Sequence, residues 1–212
     1  MKDFLNHEPF RHLPVRARRR LEAEAEEKQI PAGAVLFREG DPAEKLWMIC
    51  SGWVRLIRRV ADGQNLTIDL VTSKDRFCGL TALTGGRFMA TAVAGVPVTA
   101  VCLPVPTLVN LMQDHAELAG FAARLFDQRY SHLVAAYTHS FASVPQRLAA
   151  VLLRLKEDFG STIPVTRREL AQMIGTTVET AIRVTRRMQH EGILQVGRGR
   201  IRLLHPRLLN GS

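Results

Sequence analysis

The spacing of apolar residues separates a β-rich part of the chain from two helical parts. Between about residues 30 and 105, short apolar runs alternate with turn-forming residues. The runs are AVLF, KLWMIC, VRLI, LTIDLV and ATAVAGVPVTAVCLPV, and the turn signals are PAG, EGDP, SGW, ADGQN and TGG. Several short strands at near-regular spacing are typical of a sandwich or a small barrel-like roll. Ahead of them, RARRRLEAEAEEKQ predicts a surface helix whose charges are solvated.

The apolar period changes at about residue 105. Pro106 and Thr107 predict the start of a short helix that ends near Asp114, and a longer helix then runs without proline to Ala142. Apolar side chains recur along this longer helix at Leu118, Phe121, Ala122, Leu125, Phe126, Leu133, Ala136 and Tyr137. Such a stripe packs either on its own domain or on a second copy of the helix. The spacing alone leaves both possibilities open.

Residues 143–212 have the pattern of three helices followed by a hairpin. Ser143 is the expected N-cap of a helix that runs to about Phe159, with Pro145 in its first turn. Two shorter helices follow, and GILQVGRGRIRLLHP then predicts two strands around a tight turn at Gly197-Arg198-Gly199. Three helices and a hairpin in this order indicate a winged helix-turn-helix.

The two shorter helices begin with the same small pattern. Thr166 stands three residues before Glu169, and Thr176 stands three residues before Glu179. In a capping box, the hydroxyl of the cap accepts the third helical N–H, and the carboxylate three residues on accepts the cap's own N–H. We therefore predict N-caps at Thr166 and Thr176. For Glu179, capping competes with a second role, the reading of DNA bases.

The positive charge of the chain lies mostly in this last part. The net charge is +9; residues 144–212 hold 12 basic and 5 acidic residues, and residues 1–143 hold 17 and 15. Eleven of those 12 basic residues are Arg, whose planar fork suits phosphates and guanine edges. A basic, solvated surface is the simpler explanation, but an Arg excess beside two short capped helices favours nucleic acid.

A helical wheel divides the third helix into a packing face and an outward face. Ala181, Val184 and Met188 share one face and can pack on Leu170, Ala171 and Ile174 of the preceding helix. The opposite face carries Glu179, Arg183 and Arg186, with Ile182 and Arg187 at its flanks. The N-terminal part of such a helix enters the major groove, where Arg can bond guanine and Glu can accept from cytosine. The predicted DNA contacts are Thr176, Thr177, Val178, Glu179, Thr180, Ile182, Arg183, Arg186, Arg198 and Arg200.

Several classes of protein are not expected from this sequence. It has no run of about 18 apolar residues and no signal peptide, so we expect a cytoplasmic protein without a membrane partner. Cys50, Cys78 and Cys102 lack the spacing of a metal or disulfide site, which predicts buried thiols. We recognise no paired carboxylates, nucleophile–base set or phosphate-cradling Gly loop, and we therefore predict no enzyme activity.

In this order, the pieces resemble the cyclic-AMP receptor protein / fumarate-nitrate regulator (Crp/Fnr) family of bacterial transcription factors. LFREGDPAEKLWMICSGWVRLIRRVADGQNLTIDLV resembles the opening β-roll of the family, including Gly40, Asp41, Ser51, Gly52 and the turn at Asp62-Gly63. VTRRELAQMIGTTVETAIRVTRRMQHEGIL resembles its DNA-binding signature, with Glu179 and Arg183 at the positions that read bases.

This resemblance implies an α+β fold with three functional regions. They are a jelly-roll, cyclic-nucleotide-binding-like β-roll sensor in residues 1–115, a dimerisation helix in residues 116–142 and a winged helix-turn-helix in residues 143–212. The implied function is an effector-responsive, sequence-specific regulator that binds a palindromic site in double-stranded DNA as a homodimer. RNA polymerase is a further expected partner if the protein activates transcription.

A parallel dimer is expected through the helix from about Glu117 to Ser140. Its seam is expected to contain Leu118, Phe121, Leu125 and Leu133. The alternative function is a ligand-binding β-roll module that regulates a partner protein, with the basic region binding that partner. A gel-shift titration across salt separates the two, because DNA binding weakens steeply with salt.

The sensor region differs from the cyclic-AMP branch of the family at the positions that would bind an effector. The cyclic-AMP branch has a Glu that holds the ribose, where this chain has Gly79, and an Arg that holds the phosphate, for which Phe88-Met89-Ala90-Thr91-Ala92 offers no counterpart. A buried phosphate without a cation is costly, so cyclic AMP is not the expected effector.

An iron–sulfur cluster and haem are the other cofactors that the resemblance brings into question. The chain has no N-terminal Cys cluster, so no iron–sulfur cluster is expected. FMATAVAGVP is similar to the branch of nitric-oxide-responsive regulators of denitrification, which implies haem as a candidate cofactor, with His7, His12 or His132 as its ligands. The small effector itself is not identified by the sequence.

Overall fold

The computed structural model describes residues 2–59 and 65–211, so the turn expected at Asp62-Gly63 lies outside the described residues. The chain forms two compact units. One is Met1–Leu56 with Val71–His132, and the other is Ile57–Leu70 with Leu133–Ser212. None of the described helices combines the length and the apolar character that crossing a bilayer requires.

The predicted β-roll is confirmed as two four-stranded sheets. Its strands are β1 (Glu26–Ile30), β2 (Val35–Phe37), β3 (Lys45–Ser51), β4 (Trp53–Arg59), β5 (Asn65–Thr72), β6 (Phe77–Cys78), β7 (Thr91–Ala94) and β8 (Val98–Pro104). The strand orders are β1-β8-β3-β6 and β2-β7-β4-β5. Side chains from both sheets, among them Phe37, Trp47 and Ile49, form one buried cluster with Phe88 of the segment before β7, and this cluster fills the interior of the roll.

The N-terminal helix is shorter than the sequence predicts. Helix α1 (Val15–Glu24) ends where Ala25 takes an extended conformation, and the following EEKQI is strand β1 instead of more helix. β1 pairs antiparallel with β8, from Glu26↔Cys102 to Ile30↔Val98. Its charged side chains are exposed, as an edge strand allows, and the pairing with β8 overrides their preference for a helix.

A second buried cluster joins the helices and the N-terminal segment to the strands. It includes side chains of the 3-10 turn Phe10–His12, α1, β3, β8, α2 (Val105–Asp114) and the start of α3 (Ala116–Ser140). Leu118 and Leu125 of α3 belong to this cluster, with 1% and 9% of their surface exposed, and Phe121 packs against it.

The dimer seam expected at Leu118 and Leu125 is therefore corrected. Both side chains are covered within their own chain, because they fill the contact between α3 and the sensor. The large exposed apolar residues of α3 lie further along it, and they are Phe126, Tyr130, Leu133, Val134 and Tyr137, with 39% to 70% of their surface exposed.

The second unit contains the three helices and the hairpin that the sequence predicts. These elements are α4 (Val144–Phe159), β9 (Thr162–Ile163), α5 (Arg167–Met173), α6 (Val178–His190), β10 (Leu194–Gly197) and β11 (Arg200–Leu203). Ser143 is the N-cap of α4 as predicted, and its N–H donates to Gln146 Oε1 at 3.0 Å. Strand β9 was not predicted; it pairs with β11 and completes a sheet of order β10-β11-β9.

The cysteines divide into two kinds. Cys78 and Cys102 are buried, as predicted, and burial raises the pKa of the Cys102 thiol to about 11. Cys50 is exposed, contrary to the prediction, because β3 leaves the core after Ile49, where its register with β8 shifts.

Candidate nucleic-acid interface

Helix α5 starts with the predicted capping box. Thr166 Oγ1 accepts the N–H of Glu169 at 3.2 Å, and Glu169 Oε2 accepts the N–H of Thr166 at 2.8 Å. Two N–H groups that an isolated helix end would leave unsatisfied are thus bonded. The box thus fixes the start of α5 at Thr166, three residues after the end of β9.

The cap of α6 lies one residue later than predicted. The N–H of Thr176 donates to Ala171 O at 2.9 Å, which closes the end of α5, and Gly175 takes the left-handed conformation that this closure needs (φ +61°). The N-cap is therefore Thr177, whose Oγ1 accepts the N–H of Thr180 at 3.2 Å. The second capping box predicted for Thr176 and Glu179 is wrong.

Glu179 is consequently available for contacts outside the chain. It is the second residue of α6, and its side chain is exposed. Arg183 and Arg186, one and two turns further on, are exposed too. Within residues 2–59 and 65–211, none of these three side chains has a hydrogen bond or an ion pair.

The opposite face of α6 packs on α5 as the helical wheel predicts. Leu170 and Ala181 are fully buried, and Met188 is 3% exposed. The prediction missed one member of this face, Thr185, which is also fully buried. Its hydroxyl donates to Ala181 O at 2.8 Å, so a polar residue lies in the core with its hydrogen bond made.

The predicted hairpin carries two exposed arginines. β10 and β11 pair from Leu194↔Leu203 to Gly197↔Arg200, so only Arg198 and Gly199 lie in the turn. Gly199 has φ +70°, a conformation that glycine adopts without strain. Arg198 and Arg200 are both exposed at this tip, which we call the wing tip (residues 197–200).

The remaining predicted contact residues are less open. Thr176, Val178, Thr180 and Ile182 are half-buried along the start of α6, whereas Thr177 is exposed. Their roles toward DNA stay predictions.

The basic surface differs from the prediction at three other arginines. Arg187 is 78% exposed, but its Nε lies 2.8 Å from Glu191 Oε1, so its charge is paired along the helix. The exposed Arg168 on α5 and Arg202 on β11 were not among the predicted contacts. Their only signal in the sequence is the Arg excess of residues 144–212.

The positions that correspond, by resemblance, to the ligands of cyclic AMP form an apolar contact in this chain. A Cβ at Gly79 would lie 2.8 Å from Phe88 Cε1, and Gly79 itself has φ +78°. Phe88 stacks on Phe37 with 3.8 Å between ring centroids, and both rings are buried. A side chain that reached for a ribose from position 79 would displace this stack, so these residues do not fit cyclic AMP.

The histidines considered as haem ligands lie in different surroundings. His12 is exposed, and its Nε2 accepts the N–H of Arg11 Nε at 2.8 Å, so that ring nitrogen is engaged. His7 and His132 are half-buried. Across the described part of the chain, no three His, Cys, Asp or Glu side chains group as metal ligands would. Haem binding stays a prediction, and an absorption spectrum tests it through the Soret band.

Comparisons with known proteins identify two family domains in the chain. Residues 27–115 match the cyclic nucleotide-binding domain, and residues 146–211 match the Crp-like helix-turn-helix domain. The cyclic AMP receptor protein of Thermus thermophilus is 29% identical over 181 residues, which cover 84% of each chain. The CRP-like cAMP-activated global transcriptional regulator of Mycobacterium tuberculosis is 27% identical over 175 residues, which cover 78% of each. The structure of FixK2 from Bradyrhizobium japonicum has the same fold, with a TM-score of 0.80 at 19% identity over 88% of this chain and 96% of that one.

Proposed function

The chain belongs to the Crp/Fnr family of DNA-binding transcription regulators, which are not enzymes, and from this premise we propose that it reads a palindromic site as a homodimer. The observation that carries the proposal is the outward face of α6, where Glu179 and Arg183 are exposed and unpaired one turn apart in the described part of the chain. Two such side chains near the start of a recognition helix are placed to reach base edges.

The contacts fall into two classes by their chemistry. Arg183 bonds a guanine, Glu179 accepts from the amino group of a neighbouring cytosine or adenine, and Ile182 meets a thymine methyl. By resemblance to the family, the half-site contains TTG or a close variant. Arg186 and the wing-tip residues Arg198 and Arg200 bind phosphates, which orient the protein without reading sequence.

The homodimer is proposed to form through the exposed part of α3. Phe126, Tyr130, Leu133 and Tyr137 follow one another at intervals of four, three and four residues, which is the spacing of a coiled-coil seam. Because one small winged domain contacts few base pairs, a two-fold pair of recognition helices supports specificity. The two half-sites then lie about 34 Å apart, one turn of DNA.

Response to an effector is proposed to reach the DNA-binding helices through the C-terminal half of β5. Arg154 of α4 donates from Nη2 to Leu70 O at 2.5 Å, and its Nη1 lies 3.6 Å from Asp69 Oδ1. The Asp69 side chain is only 13% exposed, so this ion pair is screened less than a surface pair. A shift of this part of β5 would therefore move α4 through Arg154. We further propose a cytoplasmic location, with RNA polymerase as a partner where the protein activates.

A gel-shift titration across salt tests the DNA proposal. We expect a specific complex that survives competitor DNA and whose affinity falls linearly on a logarithmic salt scale. Selection from randomised DNA should return a palindrome. Binding that is weak and equal for all sequences would contradict site-specific reading.

Cyclic AMP is expected not to bind the protein. The Phe37–Phe88 stack fills the space beside Gly79, and the stretch from Phe88 to Ala92 supplies no cation for the phosphate. Isothermal titration calorimetry should show no binding heat at millimolar cyclic AMP, with the Thermus cyclic AMP receptor protein as positive control. Micromolar binding coupled to tighter DNA binding would show that the stack opens.

A further inference from the structure

The wing tip is fastened to the recognition helix by one side chain of α6. Strand β10 lies at the edge of its sheet, and its partner β11 is bonded to β9 on the other side. The N–H of Val196, the residue before the wing tip, donates to Gln189 Oε1 of α6 at 2.9 Å. An outward backbone donor of an edge strand, which water or another chain could otherwise take, is thus bonded within the chain.

Other bonds of the hairpin lie farther from the tip. The N–H of Ile193 donates to Met188 O at 2.9 Å, and the N–H of Leu204 donates to Ile193 O at 2.9 Å, so these bonds hold the base of the hairpin. Strand β9 pairs with Ile201 and Arg202 and stops short of Arg200. Beyond these positions the tip is a two-stranded hairpin, which has little stability of its own.

Gln189 lies on the same helix as the base-reading residues, about 120° around its axis from Arg183. It follows Arg183 by six residues on α6, and its side chain is exposed. The bond to Val196 therefore ties the backbone next to Arg198 and Arg200 to the helix that carries Glu179 and Arg183.

We infer that Gln189 is a positioning residue that holds the wing tip at a fixed distance from α6, so that Arg198 and Arg200 meet phosphates while Arg183 lies in the groove. The inference rests on the proposed function for the phosphate contacts. Without the bond, the wing tip is more mobile. Each phosphate contact then costs the conformational entropy of ordering the hairpin. The sequence offers no sign of this role, because Gln189 lies outside every capping or base-reading pattern.

Gln189→Met tests the inference. Met keeps the length and the helix propensity of Gln but has no oxygen to accept the N–H of Val196. The matched control is Gln195→Met, at an exposed position of β10 whose side chain has no hydrogen bond in the described residues. We expect Gln189→Met to weaken binding by about 2- to 10-fold on all sequences alike. It should also lower the salt slope by about one, with the base preference unchanged.

A variant background that lacks the wing-tip arginines tests whether Gln189 acts through them. In an Arg198→Ala/Arg200→Ala background, adding Gln189→Met should change the affinity by less than about twofold, because the residues it positions are gone. Loss of base preference, or a full effect in that background, overturns the inference. If the double Arg variant alone binds DNA like the wild type, the proposed phosphate role has failed instead.

Hydrogen exchange in the free protein tests the tie without DNA. The Val196 amide should exchange faster in Gln189→Met and stay protected in Gln189→Glu, which keeps an acceptor oxygen. Unchanged Val196 protection in Gln189→Met overturns the inference whatever the DNA data show.

Discussion

A Leu133→Glu variant is expected to be monomeric and to lose at least about 100-fold in affinity for the palindromic site, because the second half-site no longer binds within the same complex. Leu133 is 52% exposed in the single chain and lies between Tyr130 and Tyr137 on the proposed seam. In a parallel dimer, the two substituted carboxylates would face each other in an apolar contact. Analytical ultracentrifugation gives the oligomeric state, and gel shift gives the affinity.

Two other substitutions on α3 separate the seam from the sensor core. Gln128→Glu adds the same charge at an exposed position off the stripe and should leave a dimer. Leu125→Glu places the charge in the buried cluster of the sensor, and we expect it to lower the stability of the fold. A Leu133→Glu protein that still sediments as a tight dimer would place the interface elsewhere.

The corrected seam illustrates what helical periodicity can and cannot predict. The spacing of Leu118, Leu125 and Leu133 predicts one apolar stripe, and α3 does form as a single helix. Which part of that stripe is covered depends on the rest of the chain. The side chain of Phe10, in a short turn without a regular pattern, joins Leu118 and Leu125 in one cluster. Periodicity carries no information about such a distant contact.

The missed strands have the same cause. β1 is rich in charge and reads locally as helix, and β9 is two residues long. Both exist because a partner strand, β8 or β11, offers backbone groups that pair with theirs. Strands with alternating or continuous apolar residues, such as β3, could be predicted because their own residues show which positions are buried.

The capping error arose from two overlapping candidates. Thr176 with Glu179 fits the capping-box pattern better than Thr177 with Thr180, yet the chain uses Thr177. The reason lies in the previous helix, because the N–H of Thr176 is taken by Ala171 O at the end of α5. The helical wheel is unaffected by a shift of one residue in the cap, so the outward face of α6 was predicted correctly.

That shift also makes Glu179 a cleaner test residue. In a capping box, Glu179 would hold a bond at the start of the helix as well as a charge, although Gln can make the same bond. Outside a box, Glu179→Gln leaves the bond between Thr177 and Thr180 in place, and we expect the melting temperature to stay within a degree or two of the wild type, as is usual for an exposed site. A change in DNA binding can then be assigned to the DNA contact.

Arg183→Ala is expected to weaken binding to the selected palindrome by about 1–3 kcal/mol per half-site and to remove the preference at one base pair. Arg183 is exposed and unpaired in the described residues, so its removal leaves no buried partner unsatisfied, and the loss reports the DNA contact. Arg200→Ala, at the wing tip, should instead weaken all sequences alike and lower the salt slope by about one. Competition binding against single-base variants of the site separates the two patterns.

Glu179→Gln completes this prediction at the neighbouring base. A carboxylate only accepts hydrogen bonds, whereas the amide of Gln both donates and accepts, so Gln can pair with the edge of adenine and discriminates less strongly for cytosine. Selection from randomised DNA should therefore shift at the base beside the guanine that Arg183 reads, in both halves of the palindrome. If Glu179→Gln selects an unchanged site while Arg183→Ala alters its own base pair, then Arg183 reads DNA and Glu179 does not. In that case the carboxylate acts only through the favourable field of a negative charge at the start of α6.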